Sequence, residues 1–192
     1  MQEPYKKVLD KVVKEFYVQD NVIGLLLFGS LAKRTEHANS DIDLMVIGRD
    51  LEVKTVTQLY DGIIVQTLWR SIEDFKIKTV KATRFTPASK DYQVLLDKEN
   101  WIADFLASDL VKKTWKEPLP MNEKQFILMA TDFSLSLGQI KGLLEKGKEI
   151  EIVMFLSDYI YLGLELLYDQ NKWFLESKKY IFDDLKDKLP DL

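Results

Sequence analysis

The sequence predicts an α/β (α+β) chain in two parts. A small mixed β-sheet flanked by helices occupies residues 1–118, and a C-terminal helical bundle occupies residues 119–192. Three observations carry this reading. Val22–Phe28 and Ile42–Ile47 are continuous apolar runs of strand length, the pattern of strands buried on both faces. Asp61-Gly62 stands between two β-rich runs, the strongest hairpin signal a short sequence offers. Beyond Pro118 and Pro120 the apolar residues switch to helical spacing over two long segments.

Each element follows in order. Residues 4–18 form an amphipathic helix, with Tyr5, Val8, Leu9, Val12, Val13 and Phe16 at helical spacing and Pro4 in its first turn. The first strand, Val22–Phe28, ends at Gly29-Ser30, where a short helix can begin. A polar connection, Leu31–Ser40, leads to the second strand, Ile42–Ile47. Val53–Tyr60 and Ile63–Arg70 are the arms of the hairpin, and Ser71 caps a short helix. Tyr92–Leu96 forms one more strand, and Asp97-Lys98-Glu99-Asn100 turns into a helix that runs through Lys113. From Asn122 to Lys146, Phe126, Met129, Phe133, Leu137, Ile140 and Leu144 make one apolar stripe of a long helix. Glu149–Tyr168 is apolar nearly all round, the mark of a helix buried among others. Residues 175–189 form a weaker amphipathic helix.

Composition then limits the chemistry. The 192 residues include no Cys and one His, which removes disulfides, thiolate nucleophiles and histidine-rich zinc sites. Any metal is therefore held by oxygen, which points to Mg²⁺, Mn²⁺ or Ca²⁺. Residues 1–120 carry 18 acidic and 18 basic side chains and residues 121–192 carry 13 and 9, so the whole net charge of −4 lies in the C-terminal part. A balanced first part is not the basic footprint of a nucleic-acid binder. No 18-residue apolar run free of charge exists, so no membrane partner is expected and the chain reads as cytoplasmic and soluble.

The informative stretch runs from Gly24 to Ile47. Asp41 and Asp43 are separated by one apolar residue, so both carboxylates leave the same face, about 6–7 Å apart at Cα. Like charges that close repel unless a cation sits between them, and an oxygen-lined divalent site resolves this. Gly29-Ser30 ends the preceding strand where exposed backbone N–H groups and a small hydroxyl suit a phosphate. Phosphate donors beside paired carboxylates make a metal–nucleotide site, with Asp41 and Asp43 as metal ligands. No P-loop and no Gly-x-Gly-x-x-Gly fingerprint is present.

This pattern of an apolar strand, Gly29-Ser30, about ten residues, then Ser40-Asp41-Ile42-Asp43 resembles the signature of the DNA polymerase beta-like nucleotidyltransferase superfamily. It is most similar to the small bacterial minimal nucleotidyltransferases and to the kanamycin- and lincosamide-type antibiotic nucleotidyltransferases. The likeness covers most of residues 20–115, and extends to the helical part in general shape only. It implies the nucleotidyltransferase fold, Mg²⁺ or Mn²⁺ on the catalytic pair Asp41 and Asp43, and a nucleoside triphosphate (NTP) bound through Gly29, Ser30, Lys33 and Ser40. The reaction implied is transfer of a nucleoside monophosphate to a hydroxyl of a small-molecule or protein acceptor.

Two positions depart from the family. Arg34 stands where members commonly carry Gly. The third carboxylate of active members, a metal ligand or base on a later strand, aligns with Gln66. An amide accepts a hydrogen bond but supplies no charge and no base at neutral pH. Either the alignment slips, or another acid such as Asp74 or one from the helical part completes the site, or catalysis is impaired. The alternative function is thus a degenerate nucleotide-binding member, or an antitoxin-like partner of a toxin-like helical protein.

Other signals have two readings each. Lys33 and Arg34 reach the triphosphate or decorate the loop, and His37 is a loop residue. The acid-free stretch Phe75–Lys90, with Lys76, Lys78, Lys81, Arg84 and Lys90, lines an anion cleft or is a solvated face. Asp158 and Glu165 are paired structural acids or face an acceptor. Trp69, Trp101, Trp115 and Trp173 are packing residues, or one of them stacks on a base. A homodimer through the helical domain is also expected.

Overall fold

The computed structural model describes residues 1–81 and 91–190, in two compact units that meet in sequence at Lys116–Glu117. The first unit is built on a five-stranded sheet in the order β3-β4-β2-β1-β5, from β1 (Val22–Phe28), β2 (Ile42–Gly48), β3 (Lys54–Tyr60), β4 (Ile63–Ser71) and β5 (Gln93–Asp97). Only β2 and β4 pair in parallel, Ile42 beside Val65 through Gly48 beside Ser71. The other three pairings are antiparallel, so the sheet is mixed as expected.

Helix α1 (Glu3–Tyr17) covers one face of the sheet. Its Tyr5, Val8, Leu9, Val12 and Phe16 pack with Leu25 and Leu27 of β1, Leu44 and Val46 of β2 and Val65 of β4. The opposite face takes Leu26 and Met45 with Phe75 of α3 (Ile72–Val80) and Ile102 of α4 (Ile102–Ala107). β1 is buried along its whole apolar run because both faces are covered. Gly24 makes the α4 packing possible: a Cβ there would lie 2.1 Å from Ile102 Cδ1. The hairpin turn has Asp61 at φ 50° and Gly62 at φ 85°, the two positive values that a two-residue type I′ turn requires.

One boundary in the first unit differs from expectation. The helix read through Lys113 is two helices, α4 and α5 (Asp109–Thr114), because Ser108 adopts extended backbone and its hydroxyl caps Val111 N–H at 3.4 Å. The short helix expected where β1 ends is present and starts at Gly29 itself: α2 (Gly29–Lys33) closes with Arg34 at φ 58°. That left-handed value is one that glycine adopts without strain and that costs an Arg side chain free energy.

In the second unit, α6 (Glu123–Glu145) opens with a capping box between Asn122 and Gln125 and packs along α7 (Glu149–Gln170), with Phe133 stacked on Tyr159 at 4.2 Å. Tyr168, Leu175 and Ile181 form a small core with Trp173 and with Leu185 of α8 (Ile181–Lys188). The C-terminal helix starts at Ile181 rather than near residue 175, because Phe174 and Leu175 are buried in the connection and serve the core without helical spacing. Helix α7 is not buried all round: Ile150, Val153, Met154 and Ile160 are exposed on one face. Two helices bury one seam between them, and the excess apolar surface of α7 faces outward. Among the described residues no helix is long and apolar enough to cross a membrane.

Candidate functional site

The site forms where β1 ends, α2 begins and β2 starts. Register places Phe28 of β1, Asp43 of β2, Gln66 of β4 and Thr57 of β3 in one row across the sheet. Neighbouring strands lie about 4.8 Å apart and cross-strand partners share a face, so the Gln66 amide stands on the same face as the Asp43 carboxylate. This is the face of Met45 and Leu26. Asp41 occupies the residue before β2, half-buried like Asp43. The β4 position beside Asp43 is thus held by an amide.

Gly29 is the tightest point. It has φ 73°, and a Cβ on it would lie 2.1 Å from Asp43 Oδ2. The carboxylate thus rests on the bare Cα of the residue that starts α2. Phe28, the residue before α2, gives the first-turn N–H groups no side-chain cap, and these groups start at the same corner. Ser30 uses its carbonyl to accept the Thr35 N–H at 2.9 Å, which closes the turn behind α2.

The remaining expected site residues have definite places. Lys33 Nζ lies 3.5 Å from Asp91 Oδ2. Ser40 is buried, and its Oγ accepts the His37 N–H at 2.9 Å while its own N–H donates to His37 O at 2.9 Å. The hydroxyl of Ser40 thus pins the loop that delivers Asp41. His37 serves the same loop: its carbonyl accepts the Tyr5 hydroxyl at 2.9 Å and its Nδ1 accepts the Asn39 N–H at 3.2 Å. Asp74 is ion-paired with Arg70 on its own helix entry and is not brought to Asp43. Of the basic stretch, Lys76 lies 4.5 Å over the Trp101 ring. Arg84 and Lys90 fall outside the described residues.

Three contributors were not visible in the sequence. Gln93 Nε2 donates to Ala32 O at 2.7 Å and ties α2 to β5. Asp91 supplies the partner of Lys33. Tyr92 sets its ring edge-on to Phe28, the residue paired with Asp43 across the sheet, at 6.0 Å. All three reach the site through the antiparallel pairing of β5 with β1, about seventy residues away in sequence, which leaves no local signal. Asp97 has a structural task. Its carboxylate accepts the N–H groups of Trp101, Ile102 and Ala103 at 3.2, 2.8 and 3.2 Å and caps α4.

The donor set fits a divalent cation that arrives with phosphate. Among the described residues no group of three or more His, Asp or Glu side chains could hold a metal ion. Mg²⁺ needs no such cage: it is commonly bound through one or two carboxylates, keeps waters and takes its other oxygens from substrate phosphates. Asp41 and Asp43 beside the α2 corner meet that requirement.

Residues 10–99 match the family model described as "Polymerase beta, Nucleotidyltransferase", a span that includes all five strands and α2. The structure of a nucleotidyltransferase-like protein from Exiguobacterium sibiricum 255-15 aligns with a TM-score of 0.48 and 12% identity, covering 97% of this chain and 64% of that one. The chain thus spans under two thirds of that protein's length. None of the curated proteins matches.

Proposed function

We propose that this chain, which belongs to the nucleotidyltransferase superfamily through residues 10–99, binds a nucleoside triphosphate with a divalent cation and transfers the nucleoside monophosphate to an acceptor hydroxyl. The observation that carries the reading is the corner itself: a carboxylate pair at the start of β2, one member resting on Gly29 where α2 begins. Asp41 and Asp43 would hold Mg²⁺ or Mn²⁺, which when bound neutralises charge on the triphosphate. The α2 N–H groups and the Ser30 hydroxyl orient the phosphates, and positioning of that kind supplies most of the catalysis in phosphoryl transfer. The acceptor oxygen forms a bond to the α-phosphorus, the bond to the β-phosphate oxygen breaks, pyrophosphate leaves, and the hydroxyl proton passes to water. Gln66 holds the acceptor hydroxyl by a hydrogen bond and takes no proton.

Transfer is tested by incubating the chain with α-labelled NTPs, Mg²⁺ and a panel of hydroxyl-bearing small molecules and proteins. Label moves to an acceptor with the wild type and not with Asp41→Asn. Gln66 favours a second reading, nucleotide binding without transfer. Under that reading the wild type moves no label, and Gln66→Asp, which restores the third carboxylate beside Asp43, gains transfer.

A further inference from the structure

Helix α7 carries a second, unrelated feature. Its Ile150, Val153, Ser157, Ile160 and Leu164 recur at three- and four-residue spacing, the seam of a helix that packs lengthwise on another helix. The seam is not spent on α6, which takes the side of α7 bearing Tyr159. Ile150 is 77% exposed, Val153 67%, Met154 68% and, on neighbouring α8, Phe182 57%. Toward its C-terminal end the seam deepens into a groove of about 200 Å³ lined by Ser157, Ile160, Tyr161, Leu164, Ile181 and Phe182.

We infer that this seam is the interface with a second copy of the chain, its α7 laid antiparallel across the first with Ser157 at the two-fold axis. Size argues for a partner. Side chains of this kind present roughly 200 Å² each in an open chain, so the exposed seam and Phe182 leave about 600 Å² of apolar surface per copy. Two copies together bury about 1,200 Å², at the lower edge of stable specific interfaces. Shape argues for self-pairing. The seam is bulky at Ile150–Met154, small at Ser157 and hollow at Tyr161–Leu164. Antiparallel pairing about Ser157 brings Ile150 of one copy to Leu164 of the other, and Met154 to Ile160 and Tyr161. The bulky end of each helix then fills the groove of its mate, and the small residue lets the helices approach at the axis.

Charge argues the same way. In a two-fold antiparallel pair, a flank of one helix meets the same flank of its mate. On the groove's flank, Lys178 stands 4.5 Å over the Tyr161 ring and Glu151 occupies that flank toward the other end, while Asp158, one residue from Ser157 and exposed, meets its own counterpart beside the axis, a like-charge contact that water and salt screen. Pairing therefore brings Glu151 of each copy to Lys178 of the other. Glu151 has an exposed partner in Lys148 at 3.6 Å within its own turn, an interaction that solvent screens and that leaves carboxylate oxygen available for a second cation.

The test is the mass of the full chain by sedimentation velocity and light scattering at protein concentrations from about 1 μM to about 100 μM. The expected particle is near 45 kDa, twice the 22.4 kDa of one chain. Ser157→Glu sets two carboxylates together at the axis. It should weaken the dimer by 100-fold or more, giving a 22.4 kDa species whose circular dichroism and melting match the dissociated wild type. Lys178→Glu should weaken association about tenfold, and adding Glu151→Lys should restore it. A wild type that stays monomeric throughout overturns the proposal and leaves the seam to another occupant, such as the first unit or a foreign protein. A folded Ser157→Glu that remains dimeric overturns it too, since the contact then lies elsewhere. Failure of the charge swap to restore association overturns the antiparallel register.

Discussion

Gly29→Ala adds one methyl group at the most crowded point of the site. Two costs can be worked from the structure. A φ of 73° is left-handed backbone, which costs an L side chain about 1–2 kcal/mol. The new Cβ would also stand 2.1 Å from Asp43 Oδ2, well inside contact distance, so the carboxylate must swing away or the β1–α2 corner must open. Overpacking of that kind costs about 1–3 kcal/mol, partly offset by the lower entropy of the unfolded Ala chain, about 0.4–1 kcal/mol. A net loss of about 2 kcal/mol is expected, or roughly 4–8 °C in Tm for a chain of this size. Gly62 is the control. It has φ 85° and no atom within 4 Å of a Cβ, so Gly62→Ala bears the backbone cost alone. Urea unfolding of Gly29→Ala, Asp43→Ala and the double variant then isolates the carboxylate's share: in the Asp43→Ala background, Gly29→Ala should cost clearly less than in the wild type, with only the 3.2 Å approach to the Cβ of residue 43 left beyond the backbone cost. Strict additivity, with Gly29→Ala equally costly in both backgrounds, would refute the placement of the carboxylate on Gly29.

Asp97→Ala leaves three N–H groups at the start of α4 without their acceptor and should destabilise the first unit by about 1–2 kcal/mol, read from the urea midpoint, with Asp97→Asn recovering part of the loss. Tyr60 has its hydroxyl pushed up to about 12 by burial and by the Glu15 carboxylate that accepts its proton at 2.8 Å. Because the folded value lies above the ordinary value of 10, this group's stabilisation is complete below pH 10 and declines as pH rises from 10 toward 12. Tyr60→Phe should flatten that decline in a stability–pH profile, and an unchanged slope would contradict the assigned contact.

Local pattern carried much of the fold. Val22–Phe28 and Ile42–Gly48 are strands where continuous apolarity marks them, and the Asp61-Gly62 turn has the two positive φ values its residues favour. The order of the strands was not legible. Parallel pairing of β2 with β4, past the hairpin arm β3, depends on which faces α1 and α4 cover, and no single strand records that. The break at Ser108 was visible in principle, since a serine three residues before Val111 is an N-cap signal, but the apolar run across it outweighed one hydroxyl. For α7, all-round apolarity indicated burial without showing by what, and the fold leaves one seam outward. At the site, the carboxylate pair and Gly29 were legible because both constraints are local. Gln93, Asp91 and Tyr92 were not, because only the β1–β5 pairing brings them there.

The most direct test of the central claim is a calorimetric titration of the full chain with each of the four NTPs, with and without Mg²⁺ or Mn²⁺, beside the same titration of Asp43→Asn. The account predicts saturable binding that requires the metal in the wild type. In Asp43→Asn, with its stability otherwise retained, that binding should weaken by a factor of at least ten, about 1.4 kcal/mol. Metal-independent binding, or equal metal-dependent binding by Asp43→Asn, would contradict the assignment of the metal–nucleotide site to Asp41, Asp43 and the Gly29 corner.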